Sequence, residues 1–240
     1  MNRSNQSRRS ILPGLAVLGL LAGLCVASPA FAWLVNPVTP VAHEVRGLFY
    51  KAVAVTSFFF LLAELLLLVA VLRFRAKPGV PAATFHENVR LEIVWTAIPA
   101  LAMVILSGPA FTTLKSMETV PQSDLTVEVV GHQWFWEYRY PKYGVIFANE
   151  PLVIPVGKIV AVDVTSIDVV HSWFVADFGV KMDANPGRIN HTWFQVEKPG
   201  VYGGQCAELC GVLHGQMLIT VNAVSPEEFE RWIEQKKKGA

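Results

Sequence analysis

Charge is scarce in this 240-residue chain: 16% of residues are Asp, Glu, Lys or Arg, against about 25% in an ordinary soluble domain. No lysine or arginine cluster precedes the last few residues, so a nucleic-acid-binding function is excluded. Cysteine is also rare, with three in all, and no Cys-x-x-Cys-His occurs, which excludes a covalently attached haem. No internal repeat or low-complexity tract is present, so the chain is neither a solenoid nor a linker. Long apolar stretches make up the difference. Apolar residues are 52% of the chain and concentrate before residue 115.

The first such stretch, within residues 1–32, reads as a cleavable secretory signal. Arg3, Arg8 and Arg9 precede an apolar run that ends in Ala30-Phe31-Ala32, a small-x-small cleavage pattern. Cys25 lies in the part expected to be removed, which leaves Cys206 and Cys210 in the mature chain. Residues 33–120 then hold an N-terminal segment and two candidate membrane spans, about 48–72 and 93–114. Each is long enough for a bilayer core of about 30 Å at 1.5 Å per residue. Glu64 sits near the middle of the first span, is costly in lipid, and is expected to face a protein partner. Pro99 and Pro109 in the second span are tolerable where neighbouring helices make good the lost hydrogen bonds. Arg73, Arg75, Lys77 and Arg90 lie between the spans and place that loop on the cytoplasmic side, so both chain ends face outward.

After Pro121 the pattern changes to short apolar or alternating runs bounded by Pro and Gly. "LTVEVVGHQWFWEYRY", "EPLVIPVGKIVAVDVTS", "HTWFQVEKPGVYGGQ" and "GQMLITVNAV" read as strands of an all-β sandwich or barrel within 121–240. In the first of these, His132, Trp134, Trp136, Tyr138 and Tyr140 alternate onto one face of a strand. Ser225-Pro226-Glu227-Glu228 carries a capping box with proline at the first helical position, which predicts a last helix over about 226–237. The fold class is therefore a membrane-anchored α+β protein: a two-helix hairpin, an all-β domain and a short C-terminal helix.

"CAELCGVLHGQM" puts both remaining cysteines beside a histidine and a methionine. A disulfide closing so short a loop would constrain little of the unfolded chain, and a redox-active thiol pair is a second reading. The neighbours favour a third, a soft-metal site. Cys206, Cys210, His214 and Met217 offer the thiolate, imidazole and thioether donors that suit copper in electron transfer. One cysteine suffices for a mononuclear site, and the second thiolate permits a bridged pair of ions. His171 in "DVVHSWF", at the predicted end of a strand, is the best candidate for a second imidazole. His132, His191, His43 and His86 are placed less well.

These segments together resemble subunit II of the haem-copper cytochrome c oxidases. "CAELCGVLHGQM" is similar to that family's copper A loop, "DVVHSW" to its upstream histidine segment and "GHQWFWEY" to its aromatic strand. "MDANPGR" is similar to its segment near subunit I, and "EIVWTAIPA" to the start of its second helix. The resemblance spans roughly 40–235 and implies a cupredoxin-like β domain. It further implies that Cys206 and Cys210 bridge two copper ions, that His171 and His214 each cap one, and that Met217 is an axial ligand. The backbone carbonyl of Glu208 would serve the other copper. The side chain of Glu208 would reach a magnesium ion shared with subunit I, with Asp183 near the same interface.

Trp134 would receive electrons from cytochrome c, and Asp168 would help dock it. Glu92 matches the entrance of a proton channel in subunit I. Haem would reside only in that partner subunit, where oxygen is reduced and protons are pumped. The expected setting is a bacterial cytoplasmic membrane, with the copper domain on the outer side. The stretch 121–224 holds ten acidic and six basic residues, a net −4 that would attract a basic cytochrome. Arg139 departs from this pattern, since animal members carry an acid there. A quinol oxidase subunit would lack the copper ligands, and a copper-delivery protein would have one span and a thioredoxin-like domain.

Overall fold

The computed structural model describes residues 36–81 and 83–238. The signal reading and Cys25 fall outside that range. Helix α1 runs Pro40–Arg73 and α2 runs Val89–Glu118, and both are long and apolar enough to cross a membrane. Each overshoots its apolar core because polar capping, not hydropathy, decides where a helix begins. Thr39 caps α1 by accepting from the Ala42 N–H, with Pro40 at the first position. Asn88 caps α2 by accepting from the Leu91 N–H at 3.2 Å, and Glu92 Oε1 accepts from the Asn88 N–H at 3.3 Å. Pro99 and Pro109 lie inside α2 without ending it.

The extra first turns of α1 grip the β domain. Val38 N–H donates to Asp177, Thr39 Oγ1 donates to Phe178 at 2.7 Å, and Glu197 N–H donates to Val38. At the end of α2, Trp193 Nε1 donates to the Ser116 carbonyl at 3.1 Å.

Ten strands follow: β1 Leu125–His132, β2 Phe135–Tyr140, β3 Val145–Ala148, β4 Leu152–Pro155, β5 Ile159–Ser166, β6 His171–Val175, β7 Val180–Ala184, β8 Asn190–Gln195, β9 Gly200–Cys206 and β10 Leu218–Val224. They form two five-stranded sheets, in the orders β3-β2-β1-β5-β8 and β4-β10-β9-β6-β7. This is the cupredoxin-like sandwich that the resemblance implies. Alternation along the strands sends Val127, Val129, Tyr138, Val160, Val162, Trp173 and Phe194 inward between the sheets, with almost no exposed surface. Tyr140 ties the sheets together: its hydroxyl donates to the Val153 carbonyl at 2.7 Å and accepts from the Val153 N–H at 3.2 Å.

The long aromatic segment is a hairpin, not one strand. β1 and β2 pair antiparallel, His132 opposite Phe135, with Gln133 and Trp134 as the turn. Trp136, Tyr138 and Tyr140 do share the inner face of β2. His132 belongs to β1 and Trp134 to the turn, so the five rings do not form one row. The closing helix α3, Pro226–Lys238, has the predicted capping box: Glu228 N–H donates to Ser225 Oγ, and Ser225 N–H donates to Glu228 Oε2. Its Phe229 and Trp232 pack against Tyr140.

Candidate metal centre

Two chain segments meet at one end of the sandwich. β6 opens with His171, and β9 closes with Cys206, which lies opposite Trp173 in register. The loop after β9 is held at both ends. Cys206 N–H donates to the Met217 carbonyl at 2.9 Å, and Ala207 N–H donates to the Ser172 carbonyl at 2.9 Å. A short 3-10 turn over His214–Gln216 then brings His214 and Met217 back toward the cysteines.

The donors converge. Cys206 Sγ lies 3.8 Å from Cys210 Sγ and 3.9 Å from His171 Nδ1. Cys210 Sγ lies 3.6 Å from His214 Nδ1 and 3.9 Å from Met217 Sδ. The Glu208 carbonyl turns inward, 3.3 Å from Cys206 Sγ. Both thiols are free, which sets aside the disulfide reading. Bonds of about 2.0–2.3 Å in tetrahedral geometry separate two donors on one ion by about 3.5–3.8 Å. The observed spacings fit that. His171, Cys206, Cys210 and Met217 are buried and His214 is half-buried, so the cluster is largely shielded from solvent. Burial, with Cys206 beside it, pushes the Cys210 thiol up to about 11. A metal taking its thiolate must therefore displace a proton.

Five further residues position the donors, and the sequence reading gave none of them this role. Asp168, expected as a docking acid, has its Oδ1 2.8 Å from His171 Nε2. That contact fixes the ring and leaves Nδ1 toward Cys206, the arrangement by which a carboxylate orients a metal-binding imidazole. Asp168 also accepts from the Gln133 and Val169 N–H groups, each at 2.6 Å, and from Ser166 Oγ at 3.2 Å. Burial alone would raise its carboxyl, but these hydrogen bonds, that of His171 foremost, hold it down at about 2.

Gly131 lets the imidazole in. A Cβ there would come within 2.9 Å of His171 Cδ2. Gln133 Nε2 and Trp134 Nε1 both donate to the Cys210 carbonyl, at 2.8 and 3.2 Å. Gly211, at a φ of 120° that side-chain-bearing residues rarely adopt, lies against the Trp134 indole, where a Cβ would come within 3.2 Å of the ring. A Gly directly before the aromatic segment was the available signal for Gly131. Nothing local pointed to Asp168 as the partner of His171.

The remaining expected residues lie apart from the donors. Glu208 and Asp183 are exposed at their side chains. Asp183 lies opposite Ser172 in register, and Ser172 also receives the Ala207 N–H, so Asp183 and the start of the cysteine loop flank one residue. Glu92 is at the far end of α2, bonded to its cap. Arg139 is paired with Glu137 at 2.5 Å and with Glu128 at 3.8 Å, which largely cancels its charge.

The comparisons with known proteins agree with this geometry. Residues 145–224 match the family described as cytochrome C oxidase subunit II, periplasmic domain, and residues 28–113 match its transmembrane domain. The chain is 40% identical to "Probable cytochrome c oxidase subunit 2" of Rickettsia felis, over 92% of this chain and 78% of that protein. It is 35% identical to "Cytochrome c oxidase subunit 2" of Cereibacter sphaeroides, over 85% of this chain and 78% of that protein. The crystal structure of the periplasmic domain of subunit II of cytochrome oxidase from Bradyrhizobium japonicum superposes with a TM-score of 0.50 at 40% identity. It covers 50% of this chain and 99% of that domain.

Proposed function

We propose, from the premise that this chain belongs to the cytochrome c oxidase subunit II family, that it is the oxidase subunit that accepts electrons from cytochrome c. It passes them to haem in subunit I, which reduces oxygen to water and pumps protons. The observation that carries this reading is the convergence of two free thiols, two imidazoles, a thioether and one carbonyl in a single buried cluster.

Cys206, Cys210, His171, His214, Met217 and the Glu208 carbonyl would hold two copper ions, which would supply one-electron exchange. Cys206 and Cys210 would bridge, His171 and His214 would each cap one ion, and Met217 and the Glu208 carbonyl would supply the weak outer contacts. The protein's part is rigidity. Asp168 locks the His171 ring, the strand pairing of β6 and β9 sets the separation of His171 from the cysteines, and the buried walls keep water out. Donors that cannot move on oxidation or reduction keep the cost of reorganisation low.

Trp134 would be the point of arrival for electrons. Its half-exposed indole bonds to the Cys210 carbonyl, which supports a short route from the surface to a ligand. Docking would draw on the net −4 of the domain and on Asp168. The exposed carboxylates of Glu208 and Asp183 suit a hard cation such as magnesium, completed by groups from subunit I. Glu92 would sit where protons reach subunit I. The chain is a membrane-anchored subunit; we place it in a bacterial cytoplasmic membrane with the β domain outside, after removal of residues 1–32.

Electron paramagnetic resonance of the copper-loaded protein tests the centre. A seven-line hyperfine pattern from one electron shared by two nuclei is expected. A four-line mononuclear pattern, or no tightly held copper, would overturn the reading.

A further inference from the structure

Glu64 is the only charged residue between Lys51 and Arg73 in α1. At 1.5 Å per residue it lies about 20 Å from Lys51 and about 14 Å from Arg73, close to mid-depth of a bilayer core of about 30 Å. A glutamate side chain is too short to reach either interface from there. Its neighbour helix does not cover it. α1 meets α2 through Glu44, Gly47, Leu48 and Lys51, which line a cleft with Pro109, Thr112, Thr113 and Ser116, and Ser116 Oγ approaches Glu44 at 3.5 Å. At 100° per residue, Glu64 is turned by roughly 140–160° from Glu44, Leu48 and Lys51 and by about 100° from Gly47. It therefore lies on the far side of α1.

That side also carries Ser57, two turns earlier. Thr56, Ser107, Thr112 and Ser116 each return their hydroxyl to a carbonyl of their own helix. Neither Glu64 nor Ser57 has a hydrogen-bond partner among the described residues, and Glu64 is exposed. A carboxylate left in hydrocarbon is expensive, and acidic residues at this depth pair with other helices. The rest of that face, Phe60, Leu61, Leu68 and Val71, is apolar and shaped for helix packing.

We infer that Glu64 is the polar anchor of an intersubunit helix contact. Its occupant is a transmembrane helix of a neighbouring oxidase subunit, bearing a lysine, arginine or histidine at mid-depth. The inference rests on the chain being one subunit of an oxidase complex, but not on the copper centre.

The test uses the assembled oxidase, purified through a tag on this chain, with the subunit ratio followed across a detergent series. Glu64→Leu raises the hydropathy of α1, so it inserts at least as well as the wild type. Loss of one interhelical hydrogen bond is expected to weaken retention of the neighbouring subunit about tenfold, with the copper spectrum unchanged. Glu64→Gln should weaken it similarly, because the charge is lost. Wild-type retention in Glu64→Leu would show that Glu64 faces lipid and overturn the contact. Wild-type retention in Glu64→Gln would overturn the basic partner. Loss of copper would not bear on the contact, so a failure of the two readings can be told apart.

Discussion

Asp168→Asn isolates the effect of the carboxylate behind His171 without touching any of the proposed copper donors. The wild-type carboxylate meets His171 Nε2 at 2.8 Å and two backbone N–H groups at 2.6 Å. An asparagine has one acceptor oxygen for two places. In the Oδ1 place it keeps His171 and the Val169 N–H but sets its amide nitrogen against the Gln133 N–H. In the Oδ2 place it keeps the Gln133 N–H but sets that nitrogen against the His171 Nε2–H and the Val169 N–H, donor against donor. Either way the negative charge behind the ring is gone. A hydrogen bond to a charged group is worth about 1.5–3 kcal/mol. Part of that is lost equally from the metal-free protein, where the same contact exists. What is lost only on binding is the fixed ring orientation and the electron donation through the imidazole, for which outer partners cost roughly ten- to a hundredfold in affinity.

The assay is a competition titration of copper against a chelator of known affinity, wild type beside mutant. The expected result is a fall in affinity within that range, with the copper absorption bands retained, because every direct donor remains. His171→Ala in the same assay should abolish the bands. Wild-type affinity in Asp168→Asn would refute the positioning argument, and so would a loss as complete as that of His171→Ala.

Gly131→Ala should act from the opposite side of the ring. The new methyl meets His171 Cδ2 at 2.9 Å, and overpacking of this kind costs about 1–3 kcal/mol, so thermal unfolding should come earlier and copper binding weaken. An unchanged melting temperature would show that the imidazole and the end of β1 yield freely. Asp124 provides a pH-dependent case far from the cysteine loop. The Ile159 N–H, and then Lys158, hold its carboxyl below the ordinary value of 3.8. A depressed carboxyl contributes stability above its unfolded pKa and loses it as the pH falls. Asp124→Asn should therefore be less stable than wild type near neutrality and equal to it well below 3.8; a difference that persists in acid would contradict this.

The helices, the cysteine loop with its neighbouring histidine and methionine, and the last cap were legible in the sequence because each is a property of contiguous residues. A run of apolar side chains has one reading at bilayer length, and Cys206, Cys210, His214 and Met217 sit on a single loop. Ser225 and Glu228 are three residues apart, so their reciprocal bonding needs only a helix to exist. His171 was found through chemistry, since an incomplete donor set demanded another imidazole. The break at Gln133–Trp134 was not legible, because the aromatic alternation runs straight through it from His132 to Tyr140 and neither turn residue is Gly or Pro.

Tertiary structure alone decided which residues stand behind the donors. Trp134 and Cys210 are 76 positions apart and meet because β1 and β2 turn at the rim where the cysteine loop passes. Gly131 is required only because the β6 histidine folds across β1, and the entry to α1 at Val38 and Thr39 is held by Asp177 and Phe178 of the β domain. Local composition can specify which atoms bind a metal. The rigidity of their arrangement comes from strands packed across the sandwich, and no short stretch of chain contains both sides.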